Sequence, residues 1–422
     1  MQVLVFIAPL YVNLLWQLRH SRKASPFSCG FGFACAAFPA LFRPMWARQV
    51  GGPIMEWIVM RRFLLGTSAL LSALVLAPAA HAELEVVMSG YVSAQAGFFD
   101  NDTANSSDRD FRSKSEIRIM AKGIADNGLE YGARVDLLAS TNQTQNARRT
   151  GIFAQGAYGR IELGDLDGAS NNLAVLAPTV GIGQINGAYV NFIPVTSRPA
   201  GSVVDTGSGM IRSIDSDQAT KVTYYTPRLA GVQAGISYVP EVESFGEDVQ
   251  FSSIVGNQED MYELGLNYRN TYSNGIRVAA GATFDTSDAK DGSGREDVSA
   301  WGLGLRIGYQ GFEFGGGYVD NGDSNNLAGI ANDNETAFNL GARYEQGAWG
   351  VAINYIREDY DANGGRGSDT AGGTYSAYVL GGAYKIANGL SAGADLAFFD
   401  RNKDTGTDDN GYVLVLETKA SF

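Results

Sequence analysis

Cysteine and histidine are almost absent from this sequence. The 422-residue chain has two of each, and all four lie within its first 81 residues. A secretory signal is predicted to end at Ala82, so the mature chain from Glu83 contains neither residue type. This absence excludes disulfide scaffolds, thiolate or imidazole metal sites, and Cys–His or Ser–His–Asp catalysis. We therefore expect no enzymatic activity, no cofactor and no metal site.

Positive charge and long apolar runs are also scarce. The predicted mature chain has 25 basic and 44 acidic residues, a formal charge of −19. A polyanion of this size repels nucleic acid, so we expect no nucleic-acid partner. After residue 82 no apolar run reaches the ~20 residues that a membrane-spanning helix needs.

The segment that begins at Met60, MRRFLLGTSALLSALVLAPAAHA, resembles a secretory signal. Two arginines precede a short apolar stretch, and an Ala-His-Ala tripeptide supplies small residues at the cleavage site. We predict a signal peptide over 60–82 and one mature domain over 83–422. Residues 1–59 lack the later pattern, and we interpret them as a spurious or unstructured extension upstream of the true initiator.

The mature chain is built from segments of about ten residues in which apolar and polar side chains alternate. This period of two predicts β-strands with one apolar face. In the last segment, for example, Tyr412, Leu414 and Leu416 share one face. We predict sixteen strands, over 84–99, 113–125, 128–139, 149–157, 159–165, 219–227, 231–240, 260–270, 274–286, 298–309, 311–320, 334–346, 348–359, 374–386, 389–400 and 410–422.

The lengths of the connections favour a membrane barrel over a soluble β-sandwich. Connections after even-numbered strands are tight, such as 125–127, whereas those after odd-numbered strands are long and polar, such as 100–111. Turns on the insertion side of a membrane barrel stay short while the other side is free to lengthen. We therefore predict an all-β fold, a sixteen-stranded antiparallel up-and-down transmembrane β-barrel whose last strand closes onto its first.

Three segments resemble general-diffusion porins of the Gram-negative outer membrane, of the type common in alphaproteobacteria. These are ELEVVMSGYVSAQAGF (83–98), GRIELGDLDGA (159–169) and GYVLVLETKASF (411–422), which ends in Phe422. The resemblance covers 83–422 and implies a water-filled channel for passive diffusion of small hydrophilic solutes and ions. Residues 418 and 420 are smaller than the bulky residues common there in the family.

The resemblance also implies a location, partners and a constriction. We expect a homotrimer in the bacterial outer membrane, in contact with lipid and lipopolysaccharide. Phe422 would be the C-terminal signal that the barrel-assembly machinery reads. The long third connection, 166–218, would fold inward and narrow the pore. Its apolar residues are expected to pack it against the inner wall; they are Leu173, Val175, Leu176, Val190, Phe192 and Ile193.

Charged residues near this connection are the candidate site. We define the basic wall as the basic residues on the polar phase of strands 2, 3 and 5: Lys114, Arg118, Lys122, Arg134 and Arg160. The candidate constriction-loop acids are Asp165, Asp167, Asp205, Asp215 and Asp217. One hypothesis is that the wall and the acids set up a transverse field across the constriction. The alternative is that the basic residues pair with neighbours on their own wall: Glu116, Glu130, Asp136 and Glu162.

Other functions remain open on the sequence alone. A channel of the same fold with a specific substrate site would show saturable flux. A plugged structural or adhesive barrel would show no conductance, and a soluble β-sandwich would need no detergent. A barrel phospholipase would need a Ser–His pair, which the mature chain lacks.

Overall fold

The computed structural model describes residues 84–101, 107–140, 147–185, 187–193, 212–251, 257–328, 335–360, 372–404 and 408–422. The predicted extension and signal peptide, 1–82, lie outside the described residues of the model. Its strands are β1 Glu85–Asn101, β2 Arg109–Ile124, β3 Glu130–Leu138, β4 Ala147–Gly156, β5 Gly159–Asp165, β6 Thr220–Tyr225, β7 Val232–Glu241, β8 Gln258–Thr271, β9 Arg277–Ala289, β10 Val298–Tyr309, β11 Phe312–Gly322, β12 Glu335–Gln346, β13 Trp349–Tyr360, β14 Gly373–Ala387, β15 Leu390–Lys403 and β16 Asp409–Ser421.

The sixteen strands form a closed antiparallel barrel, as the alternation predicts. Each strand pairs with its neighbours in sequence, and β16 closes onto β1. The C-terminal residue completes this seam, because the Phe422 amide donates to the Gly90 carbonyl at 3.0 Å and the Gly90 amide donates back at 2.9 Å. Closure leaves no unpaired sheet edge, which hydrocarbon cannot satisfy.

The outer face of the barrel is apolar and exposed. Alternate residues of β10 illustrate it: Leu303, Leu305 and Ile307 are 47–55% exposed in the isolated chain. Paired aromatic rings lie at two levels. Trp301 packs with Tyr318, and Tyr355 with Phe338 and Tyr378, in the half of the barrel toward the long connections. Phe312 packs with Tyr344, and Trp349 with Tyr384, near the short turns. An apolar band between aromatic girdles is the surface that lipid covers.

Among the described residues, no helix is both long and apolar enough to cross a bilayer.

We call the connection 166–219 between β5 and β6 loop 3, and its described residues lie inside the barrel. A short helix, α1 (Ala169–Leu173), contacts β7, β8 and β9, and a 3-10 turn (Ala188–Phe192) contacts β15, β16 and β1. The loop therefore follows the inner wall around much of its circumference. The predicted packing of its apolar residues is confirmed, since Leu173, Val175, Val190, Phe192 and Ile193 are buried.

The middle of loop 3, up to residue 193, forms an apolar cluster inside the barrel. Tyr189, Phe192 and Ile193 pack with small and branched side chains on inward positions, including Val413 and Val415. Burial of these side chains stabilises the loop by the hydrophobic effect, at ~25 cal/mol per Å² of apolar surface removed from water. The lumen is therefore partly filled by the chain itself.

Candidate functional site

A buried carboxylate organises part of the basic wall. Asp136 on β3 is completely buried, and Arg118 on β2 donates to it from Nε at 2.9 Å and from Nη2 at 3.2 Å. Arg134 donates from Nε at 2.9 Å and makes a second, shorter contact, and Arg149 on β4 lies 3.8 Å away. We call these four residues the Asp136 cluster. Its pairing agrees with the alternative that wall charges pair with one another.

The other members of the basic wall lie apart from this cluster. Lys122 is 3.3 Å from Glu85 near the short-turn end of β2, and Arg160 donates to Glu162 at 2.6 Å. Lys114 lies on the inward phase of β2, closer to the long connections than Arg118. The structure thus brings together two of the five predicted basic residues and adds Arg149.

Loop 3 begins at this cluster. Asp167 accepts two hydrogen bonds from Arg149, at 2.8 Å and 3.0 Å, and a third from Gln218 at 2.7 Å. Arg149 therefore joins the wall to the loop directly. Burial alone would raise the pKa of Asp167, but these hydrogen bonds and the guanidinium charge hold it below its usual range.

Asp165 does not face the lumen. It shares the outer face of β5 with Ile161 and Leu163, where it accepts hydrogen bonds from the Thr150 hydroxyl at 2.8 Å and from the Thr220 hydroxyl. Its phase on the strand fixes this orientation, because residues two apart point to the same side. Asp205 lies outside the described residues.

Asp215 and Asp217 lie at the end of loop 3, next to its beginning. Asp215 accepts a hydrogen bond from Asn171 on α1 at 2.8 Å, and burial together with the charge of Glu263 raises its pKa. Burial, reinforced by the charges of Asp215 and Asp167, raises the pKa of Asp217 to about 6. Asp167, Asp215 and Asp217 thus lie at the two joined ends of the loop, and Asp167 contacts Arg149 of the Asp136 cluster.

The raised pKa of Asp217 predicts a pH-dependent charge in the lumen. A free carboxyl ionises near pH 3.8, so Asp217 keeps its proton up to about pH 6 and becomes negative only above it. Between pH 5 and pH 7 the lumen should therefore gain about one negative charge. We expect the reversal potential of the channel in a salt gradient to shift in the direction of greater cation selectivity over this range. Because the attached loop holds the Asp217 proton more tightly than a free carboxyl does, the attachment of loop 3 weakens as the pH rises from 3.8 to about 6.

The matched variant for this prediction is Asp217→Asn. Residue 217 has a positive φ of 48°, which asparagine tolerates, so the substitution removes the charge without backbone strain. The variant should keep one selectivity across this pH range. An equal shift in both proteins would assign the titration to another group. The nearby cations Arg148 and Lys221 act against the rise in the pKa of Asp217.

Two glycines let the loop backbone approach the wall. A Cβ atom on Gly304 of β10 would lie 1.8 Å from the Val175 carbonyl oxygen, and one on Gly281 of β9 would lie 2.9 Å from the Leu173 oxygen. Only a residue without a side chain permits such an approach. The loop is also held by Arg306, which donates to the Leu176 oxygen at 2.7 Å.

Sequence reasoning missed two sets of lumen residues. Arg149 was missed because it begins a predicted strand, 149–157, whose alternation is too weak to assign a face. A group of arginines on β8–β12 was also missed, although Arg306 and Arg343 alternate in the sequence with the apolar residues of their strands. Nothing in the sequence indicated that these residues would meet.

Similar proteins identify the family of this chain. Residues 67–405 match the model of a family described as Gram-negative porin. The chain belongs to the Gram-negative porin family. Its curated relatives include a porin of Rhodobacter capsulatus, 25% identical over 288 residues that cover 60% of this chain and 90% of that one. An uncharacterised protein of Rickettsia bellii is 24% identical over 40% of this porin, and the match spans 44% of that relative's length.

Solved structures show the same fold. One is a loop-deletion mutant of OmpT, an outer membrane protein of Vibrio cholerae, with a TM-score of 0.54, 15% identity, and coverage of 80% of this porin and 99% of that chain. Another is an engineered Rh. blastica porin, with a TM-score of 0.52, 16% identity, and coverage of 80% and 100%. These likenesses show the fold of the porin, and the family match places it in the outer membrane of Gram-negative bacteria.

Proposed function

We propose that this porin forms a water-filled channel for the passive diffusion of small hydrophilic solutes and ions. The observation that carries the proposal is the exposure of charged side chains at inward positions on opposite walls. Arg118 on β2 is 41% exposed and Arg277 on β9 is 50% exposed. Charges this open to solvent favour a wet lumen, because a dry one would impose a large desolvation cost on them.

A liposome-swelling assay with neutral sugars of increasing size tests this function. We expect swelling rates that rise linearly with sugar concentration and fall as the sugar grows. A rate that saturates, and that a second sugar competes down, would instead support a substrate-specific channel of the same fold. Absence of swelling with every sugar, together with no conductance in bilayers, would support a plugged barrel.

The Asp136 cluster is expected to favour anions in the constriction. Replacing Arg118 with glutamine keeps a polar, hydrogen-bonding side chain, although a shorter one, and removes one charge. A unit charge ~4–8 Å from an ion in water contributes ~0.5–1 kcal/mol, so the anion-to-cation permeability ratio should fall about two- to fivefold. Reversal potentials in a KCl gradient measure this ratio, and Arg134→Gln should shift it in the same direction.

Arg357→Gln is the control for that measurement. Arg357 pairs with Asp359 at 3.0 Å on the outer face, so its loss removes the same charge away from the lumen. A reversal potential that is the same in the Arg118 variant and in the wild type would reject a selectivity role for the cluster.

The assembly of the porin is part of the same proposal. We infer a homotrimer surrounded by outer-membrane lipid and lipopolysaccharide, and export by the signal peptide 60–82 with cleavage after Ala82. Membership of the porin family supports the trimer. Phe422 would act as the assembly signal, which its exposed side chain at the end of β16 favours. Cross-linking in the membrane and N-terminal sequencing of the purified chain test the trimer and the cleavage.

A further inference from the structure

A second group of arginines lies on the inner wall across from the Asp136 cluster. Arg269 on β8, Arg277 on β9, Arg306 on β10 and Arg343 on β12 surround Glu313 on β11, and we call these five residues the Glu313 cluster. They line a recess of about 560 Å³. Strands β2–β4 and β10–β12 are eight positions apart in a ring of sixteen, so the two clusters occupy opposite walls.

Positive charge exceeds negative charge in this recess. Glu313 is the central carboxylate, and its oxygens lie 2.7 Å from Arg343, 3.1 Å from Arg306 and 3.8 Å from Arg277. Glu345 adds a second, more exposed carboxylate, 3.5 Å from Arg343. Arg269 is exposed and has no ion pair within the part of the chain that the structure describes. Four guanidinium groups therefore face two carboxylates.

Loop 3 fixes two of these guanidinium groups in place. Arg306 donates to the Leu176 oxygen at 2.7 Å, and Arg343 donates to the Thr179 oxygen at 3.1 Å. Their positions are therefore set before any ligand arrives, which lowers the entropic cost of binding. Arg269 and Arg277 make no such contact with the described part of the loop and keep donors open to the recess.

The recess lies on the short-turn side of loop 3. Ala174 and Val175 of the loop line one side of it. Arg306 is three residues from the end of β10, or ~10 Å along the strand from the turn. The short turns of such barrels face the periplasm. A solute that has passed loop 3 from outside therefore meets this recess next.

We infer that the Glu313 cluster is a binding site for a small oxyanion with two or more negative charges, such as a phosphorylated or polycarboxylate solute. Guanidinium groups bind phosphate and carboxylate oxygens in pairs, a geometry that chloride does not offer. The recess has the size of a small-molecule site, for which ~300–1,000 Å³ is typical. The inference rests on the proposed channel function and specifies one class of its solutes.

Block of the ion current by inorganic pyrophosphate tests the inference. The protein is inserted in planar bilayers in about 0.1 M KCl. At this ionic strength charges are screened over ~10 Å, so the attraction between pyrophosphate and arginines in direct contact with it persists. We expect pyrophosphate to reduce the current saturably. The double variant Arg269→Gln/Arg277→Gln should raise the half-blocking concentration at least tenfold, while its current in KCl alone persists.

Two kinds of variant complete the experiment. Arg357→Gln removes one charge on the outer face of the barrel, away from the recess, and should be blocked like the wild type. The single variants Arg269→Gln and Arg277→Gln should each give intermediate half-blocking concentrations, which keeps the test decisive if the double variant folds poorly. Glu313 retains Arg306 and Arg343 as partners in all three recess variants.

The outcomes separate the site from the channel. A conducting wild type that pyrophosphate does not block, or equal block in the wild type and the recess variants, would overturn the oxyanion site and leave diffusion intact. A wild type that conducts in no salt would overturn the proposed channel, and the oxyanion site with it.

Discussion

Replacing Gly304 with valine is expected to displace the first half of loop 3 and increase the single-channel conductance. A Cβ atom at this position would lie 1.8 Å from the Val175 carbonyl oxygen, a backbone atom that cannot rotate away. Overpacking of this kind costs ~1–3 kcal/mol, and movement of the loop relieves it at lower cost than distortion of the paired strand. Conductance in concentrated KCl and swelling with larger sugars both measure the displacement.

Gly382→Val is the matched control for that variant. Gly382 on β14 points outward, and the nearest atom to its added Cβ would be the Ala394 oxygen at 3.9 Å. This variant should conduct like the wild type. If Gly304→Val folds and keeps the wild-type conductance and sugar cut-off, loop 3 does not limit the pore at this wall.

Replacing Asp136 with asparagine is expected to cause the largest loss of stability in the barrel wall. The carboxylate is fully buried and contacts Arg118, Arg134 and Arg149, so its loss leaves three guanidinium groups without their shared counter-charge. Removing one partner costs ~3–5 kcal/mol when both partners are buried, and because Arg118 is 41% exposed the cost should lie between this value and the ~0–1 kcal/mol of an exposed pair. Thermal unfolding in detergent, followed by the loss of β-sheet circular dichroism, measures the change.

Asp359→Asn provides the comparison for the Asp136 variant. Asp359 and Arg357 are each more than 40% exposed, and an exposed pair contributes only ~0–1 kcal/mol. The Asp136 variant should also shift the reversal potential toward anions, whereas the Asp359 variant should not. Equal unfolding temperatures in the two variants would contradict a structural role for the Asp136 cluster.

The strands of this porin are predictable from sequence because their signal is local. An alternating segment fixes both the presence of a strand and the face that each residue occupies, and β5 and β10 have the predicted bounds of 159–165 and 298–309. The same phase rule assigns Asp165 to the outer face with Leu163. That signal was present in the sequence, and the assignment of Asp165 to the constriction overlooked it.

The partners of the lumen charges depend on register, which the sequence pattern leaves undetermined. Arg118 lies opposite Asp136 in the pairing of β2 with β3. Asp136 also lies opposite Arg149 in the pairing of β3 with β4, and this register brings Arg149 to the same carboxylate. A shift of two residues in either pairing would preserve every inward and outward face and change the ion pairs that cross that pairing.

The sequence by itself determined the barrel, its sixteen strands, the alternation of turn lengths and the inward face of the basic wall. Only the tertiary structure decided the route of loop 3 and the two arginine clusters. The physical reason is distance along the chain. A period of two is visible within ten residues, whereas Val175 meets Gly304, and Arg277 meets Arg343 around Glu313, only after the barrel has closed.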